Sequence, residues 1–144
     1  MVMVYLVDEE ELVLLLYDHR NGRWGPVRGP LEEHELPEEC ALRLVREQLH
    51  VKARIIGTRQ VLGEHLRLTD PIAMLTEHVD ARHEHIQFVF AARIAGPVHE
   101  DVHWIDARWF SGEDLKTADI PESVRVCAGL AVREQRKEQE ERGA

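Results

Sequence analysis

Between Gly22 and Val51 the chain crowds Glu32, Glu33, Glu35, Glu38, Glu39 and Glu47 around Arg43. Acids at the start of a helix can simply complement its positive end. Acids gathered on one side repel one another unless a divalent cation bridges them, and oxygen-rich sites suit Mg²⁺ or Mn²⁺. Positions 44, 47 and 48 are related by i+3 and i+4, so they share one helix face. Three carboxylates there would form a cation site. The residues present are Leu44, Glu47 and Gln48. That face keeps one negative charge and one neutral acceptor, and supports a cation only weakly.

Other residues are candidates for the same chemistry. Arg20, Arg23 and Arg28 are positioned to clamp phosphates, with Trp24 among them. His34 and His50 flank the acidic helix and are candidate ligands or bases, against the simpler alternative of exposed polar residues. In "EHVDARHEH", His83 and His85 lie i, i+2 on one strand face with His78 nearby, which suits a transition metal or merely a polar hairpin tip. The "HEDVH" loop offers Glu100 and Asp101 as further acids.

These residues need elements to hold them. "MVMVYLVD" and "ELVLLLYDH" are β-rich runs divided by an acidic turn. Gly22, Gly25, Pro26, Gly29 and Pro30 then break regular structure for about ten residues. Pro37 opens a helix on which Ala41, Leu42, Val45 and Leu49 recur at helical spacing. "KARIIGTRQVLG" reads as a strand running into a turn, and "PIAMLTEHV" and "HEHIQFVFAARI" as two more strands. "ARWF" is a short strand, and Ser111 caps the helix "DLKTADI" with Asp114 three residues on. Pro121 opens a last helix with Val124, Cys127, Ala128 and Ala131 inward and a charged tail, about residues 133–144, that frays. The order predicts an α+β or α/β sandwich with a mixed sheet between helices. Leu14, Leu16, Ala41, Leu42, Val45, Phe88, Phe90, Trp109 and Val124 are the expected core. At 144 residues one domain over 1–144 is expected.

At Gly29 the chain resembles the Nudix hydrolases, whose motif is Gly, five residues, Glu, seven residues, then Arg-Glu-aliphatic-x-Glu-Glu-x-Gly-aliphatic. Gly29 opens it, Glu35 and Arg43 fall in step, and Val45, Glu47 and Val51 follow. Trp24 holds the place of the family's "WxxPGG" approach, and "DARWFSGEDL" and "HIQFVFAARI" look like its later strands. The resemblance covers nearly the whole chain and implies a Nudix-type α/β/α sandwich. It also implies that Arg43 ties the loop to the helix through Glu35, and that Glu35 and Glu47 serve catalysis and metal binding. Glu100 stands where many members place an extra catalytic acid. The chain departs from the motif at Leu44, Gln48 and His50, and in the approach at Val27 and Arg28.

Two functions fit. One is a protein with a degenerate motif that binds a small molecule or nucleotide diphosphate, its pyrophosphohydrolase activity lost or altered, with Mg²⁺ or Mn²⁺ held weakly if at all. The alternative is an active metal-dependent hydrolase of a nucleoside diphosphate linked to another group. The net charge of −9 argues against nucleic acid as a partner. No apolar run is long enough to span a membrane. Cys40 and Cys127, without CxxC spacing, read as reduced core residues of a cytoplasmic protein. A homodimer is suggested by family analogy alone.

Overall fold

Val2–Val7 (β1) is apolar at nearly every position and buried throughout, as a strand covered on both faces must be. The acidic turn that follows is tied by Asp8, whose carboxylate accepts the amides of Glu10 and Leu12 at 2.9 Å, and it returns the chain as Val13–Asp18 (β2). The computed structural model describes residues 1–99 and 102–143, with Val79 described by its backbone only.

The central sheet is mixed and eight-stranded. His83–Ile94 (β9) runs parallel to β1, from Val2 opposite Phe88 to Leu6 opposite Ala92; every other pairing is antiparallel. Ala107–Phe110 (β10) closes the far side against β2. Ala53–Ile55 (β5) and Ala73–Asp80 (β8) share the outer edge of β9.

β1 and β2 pair only at Leu6–Leu14 and Val7–Val13, then splay apart. Arg23–Gly25 (β3) pairs with β2 and Val27–Gly29 (β4) with β1. The stretch expected to be irregular is therefore two three-residue strands seated in the gap between splayed neighbours. Gln60–Leu62 (β6) and His65–Arg67 (β7) form a separate hairpin turned at Gly63, φ 60°. The single strand expected from "KARIIGTRQVLG" is thus broken. At Gly57, φ 138°, only glycine fits beside Thr69.

Pro37–Leu49 (α1) covers one face of the sheet, packing Ala41, Leu44, Val45 and Leu49 on Val2, Val4, Leu14 and Phe90. Glu122–Gly143 (α3) covers the other, with Val124, Cys127, Ala128 and Ala131 on Tyr5, Leu15, Val89 and Ala91. Between β10 and α3 lies Gly112–Thr117 (α2), begun by the expected cap: Ser111 Oγ accepts the Asp114 amide at 3.1 Å, and Asp114 accepts the Ser111 amide at 3.0 Å. The result is an α/β/α sandwich. Cys40 and Cys127 are buried on opposite faces as free thiols.

Leu14, Ala41, Val45, Phe90 and Val124 are buried as expected. Leu16, Leu42, Phe88 and Trp109 are half-buried instead. Leu16, Phe88 and Trp109 pack on the α1-side cluster from its rim, where β2 splays and the pairing of β1 ends. Among the described residues no helix is long and apolar enough to cross a membrane.

Candidate functional site

The acidic loop is organised by Arg43. Its Nε donates to Glu35 Oε2 at 2.7 Å and its Nη2 to Glu35 Oε1 at 3.0 Å, a part-buried bidentate pair. The same Nη2 donates to the Pro30 carbonyl at 3.0 Å. Nη1 reaches Glu47 at 3.1 Å and Glu32 at 3.5 Å. The guanidinium holds the Glu35 carboxyl at about 2, well below the usual carboxylate range, and Glu35 in turn raises the guanidinium's own affinity for its proton. Burial, with Glu35 beside it, pushes the Cys40 thiol up to about 11, so it is no nucleophile.

The helix face expected to carry ligands is divided. Leu44 is 3% exposed and belongs to the core, pressed so closely on Gly29 that a Cβ there would lie 2.5 Å from its Cδ2. Glu47 and Gln48 are exposed. Gln48 Nε2 donates to the carbonyl of Arg28 at 2.9 Å, joining α1 to β4. Glu38 has left the helix-start face altogether: it is buried, accepting the Thr69 amide at 2.7 Å and Arg59 Nε at 3.0 Å. Glu39 caps the helix by accepting the Leu36 amide at 2.9 Å.

This donor set does not fit a tightly held Mg²⁺ or Mn²⁺. Such an ion needs several oxygen ligands. Glu35 and Glu47 already meet Arg43, position 44 is apolar and buried, and position 48 presents a donor to the one backbone carbonyl it faces. Among the described residues no three His, Cys, Asp or Glu side chains converge on a metal position. Glu100 and Asp101 lie outside the described residues.

Beside this helix opens a cleft of about 1270 Å³, in the gap where β3 and β4 part β1 from β2. Arg20, Arg23, Arg28 and Trp24 all line it, and Gln48 reaches its rim. Arg20 lies 3.7 Å from Asp18, whereas Arg23 and Arg28 are exposed and make no ion pair among the described residues. Trp24 is half-buried, edge-on to Tyr17 and Phe110 with ring centres 5.2 Å from each.

The chain matches the NUDIX domain family over residues 1–127. It belongs to the Nudix family. A Nudix-family hydrolase from Clostridium perfringens superposes with a TM-score of 0.77 at 27% identity, covering 92% of this chain and 94% of that one. The MutT protein of Methanosarcina mazei does so at 0.63 and 20% identity, over 96% and 93%. An ADP-ribose pyrophosphatase from Streptococcus suis gives 0.61 at 14% identity, over 94% and 90%. The last two likenesses are of fold. No curated protein matches the chain by sequence.

Within the Nudix motif the two histidines have backbone roles. His50 ends α1 in the left-handed region, φ 57°, where the motif has glycine, and its amide bonds the Arg46 carbonyl at 2.9 Å. His34 is also left-handed, φ 64°, and exposed. At the β8–β9 tip His83 bonds Asp80 at 2.9 Å and His78 lies 3.7 Å from Glu84, so these two imidazoles face separate acids. Two features carried no sequence signal. His19, at the cleft, bonds Asp106 at 2.8 Å, and the buried Gln87 donates to Glu77 at 2.8 Å. Both pairs join residues brought together only by strand pairing.

Proposed function

We propose that this Nudix-family chain binds a nucleotide-like diphosphate in the cleft beside its motif, and that the family's metal-dependent pyrophosphohydrolase activity is lost or altered. The observation that carries this is the Gln48 amide donating to the Arg28 carbonyl. A carboxylate in its place would set two acceptors face to face and so call for a cation between them. The amide closes the same gap with a proton of its own. Arg43 meanwhile pairs with both Glu35 and Glu47.

What remains is suited to binding. Arg23, Arg28 and Arg20 supply positive charge for phosphates, and Trp24 gives an aromatic wall. Glu35 and Arg43 fix the loop that carries Pro30 and Gly29 to the rim. The proposal extends to one domain over residues 1–144 working in the cytoplasm.

The test pairs calorimetry with turnover. ADP-ribose and a nucleoside triphosphate are titrated in EDTA and again with Mn²⁺. Binding that survives EDTA, with no hydrolysis, is the expected result. Turnover at about 1 per second or faster with Mn²⁺, the ordinary enzyme range, would restore the alternative of an active hydrolase working through Glu47 and an acid of the "HEDVH" loop.

A further inference from the structure

Glu77 and Gln87 stand on neighbouring strands, β8 and β9, and both line the cleft. Gln87 is 5% exposed, and its Nε2 donates to Glu77 Oε2 at 2.8 Å. That bond fixes which way the carboxamide points. It leaves free the second N–H of Gln87, its carbonyl oxygen and Glu77 Oε1, none of which has a protein partner among the described residues. Neither side chain's free atoms are sealed in the core, so they are open to the cleft. A nearly buried amide held beside a half-buried carboxylate is an expensive arrangement unless something polar is to be met there.

Register places a second feature on the same face. Met3 pairs with Val89 on one side and Arg28 on the other, and Val89 is two residues from Gln87. Paired and i, i+2 residues point to the same side of a sheet. Arg28 therefore shares a face with Gln87 across two strand spacings, about 10 Å. The cleft thus has an acceptor-rich end on β8–β9 and a cationic end on β4.

We propose that Glu77 and Gln87 form the base-reading end of the cleft, selective for a guanine-type edge, while Arg28 meets the ligand's phosphates. A guanine edge presents a ring N–H and an amino group side by side, next to a carbonyl oxygen. A carboxylate can only accept, so it suits the two donors, and the second Gln87 N–H suits the carbonyl. Adenine offers one amino donor beside a ring acceptor, so it meets the Gln87 N–H and one Glu77 oxygen but leaves the second carboxylate contact without a donor, which a polar site disfavours. This inference rests on the proposed nucleotide binding.

The experiment is titration calorimetry in EDTA with GDP, IDP and ADP. GDP is expected to bind at least about tenfold tighter than ADP, with IDP, which lacks the amino group, between them. Glu77→Gln should erase the preference by weakening GDP, whereas Arg28→Ala should weaken all three alike. Equal binding of GDP and ADP by the unaltered protein overturns the inference and leaves the proposed function standing. So does a Glu77→Gln protein that loses affinity for all three together. Failure of all three to bind overturns both. The ligand series on the unaltered protein decides the matter even if the variant does not fold.

Discussion

Replacing Gln48 with glutamate tests the central claim by reversing one hydrogen bond. The Gln48 amide nitrogen lies 2.9 Å from the Arg28 carbonyl oxygen. In Gln48→Glu an acceptor takes that place, so a bond is lost and two oxygens oppose each other. A lost intramolecular bond costs about 1 kcal/mol, and the opposed acceptors bring the expected loss to about 1–2 kcal/mol. Urea denaturation in EDTA should show it as a lower midpoint at unchanged slope. With Mn²⁺ the same pair of oxygens becomes a ligand set, joined by Glu47. Affinity should rise at least about tenfold over the unaltered protein, about 1.4 kcal/mol. At about 100 times the variant's dissociation constant, bound ion returns about 2.7 kcal/mol to the variant and, at tenfold weaker affinity, about 1.4 kcal/mol to the parent. The gap between parent and variant should therefore narrow by about 1.3 kcal/mol on going from EDTA to Mn²⁺. A variant as stable as its parent in EDTA, or indifferent to Mn²⁺, would refute the reasoning.

Restoring the other acid is a different experiment. Leu44 is 3% exposed and rests on Gly29, so Leu44→Glu removes a core side chain and buries a carboxylate. The cost is about 3–5 kcal/mol, which is comparable to the whole stability of many domains. From the motif alone the two substitutions look equivalent; from the packing, only Gln48→Glu is a clean probe.

Arg43→Ala should destabilise by about 2–3 kcal/mol in urea, since it strips Glu35 of a bidentate charge-assisted partner. Protection of the Gly29–Leu36 amides from hydrogen exchange should fall with it. Glu35 binds its proton less tightly folded than unfolded, 4.5 falling to about 2. Its contribution is therefore complete above pH 4.5 and lost as pH falls toward 2. Glu35→Gln should flatten that part of the stability–pH curve, and an unchanged curve would count against the pair. Phe90, 2% exposed, should cost about 3–5 kcal/mol as Phe90→Ala. The half-buried Phe88 should cost distinctly less.

Elements whose causes are local could be read from the sequence. Ser111 and Asp114 cap their helix with their own atoms, and Pro37 starts α1 by its fixed geometry. β10 and β9 show in their β-branched and aromatic residues. β3 and β4 could not be read, because Gly25, Pro26 and Gly29 erase the strand pattern. They exist only because β1 and β2 splay and offer free edges. The site divides in the same way. Glu35 with Arg43 follows from motif spacing, since both partners are side chains. The partner of Gln48 is a backbone carbonyl, which no spacing reveals. Leu44 sits at the edge of the helical stripe, where i+3 and i+4 neighbours include both Glu47 and Gln48 and the core residues Ala41 and Cys40. Only packing decides between them.

Arg43 also gathers this acidic segment with a charge of its own. One guanidinium lies within 3.5 Å of Glu32, Glu35 and Glu47 and holds the Pro30 carbonyl at 3.0 Å. A divalent cation would relieve the same repulsion, but it binds and leaves; this charge is part of the helix and cannot be titrated away in the working range. The loop that shapes the rim of the cleft thereby has a fixed counter-charge within the chain. Ligand binding there, as proposed, should then show no loss on chelation. With the Arg28 carbonyl closed by Gln48, the proposed binding has Arg28, Arg23 and Arg20 meet phosphates directly.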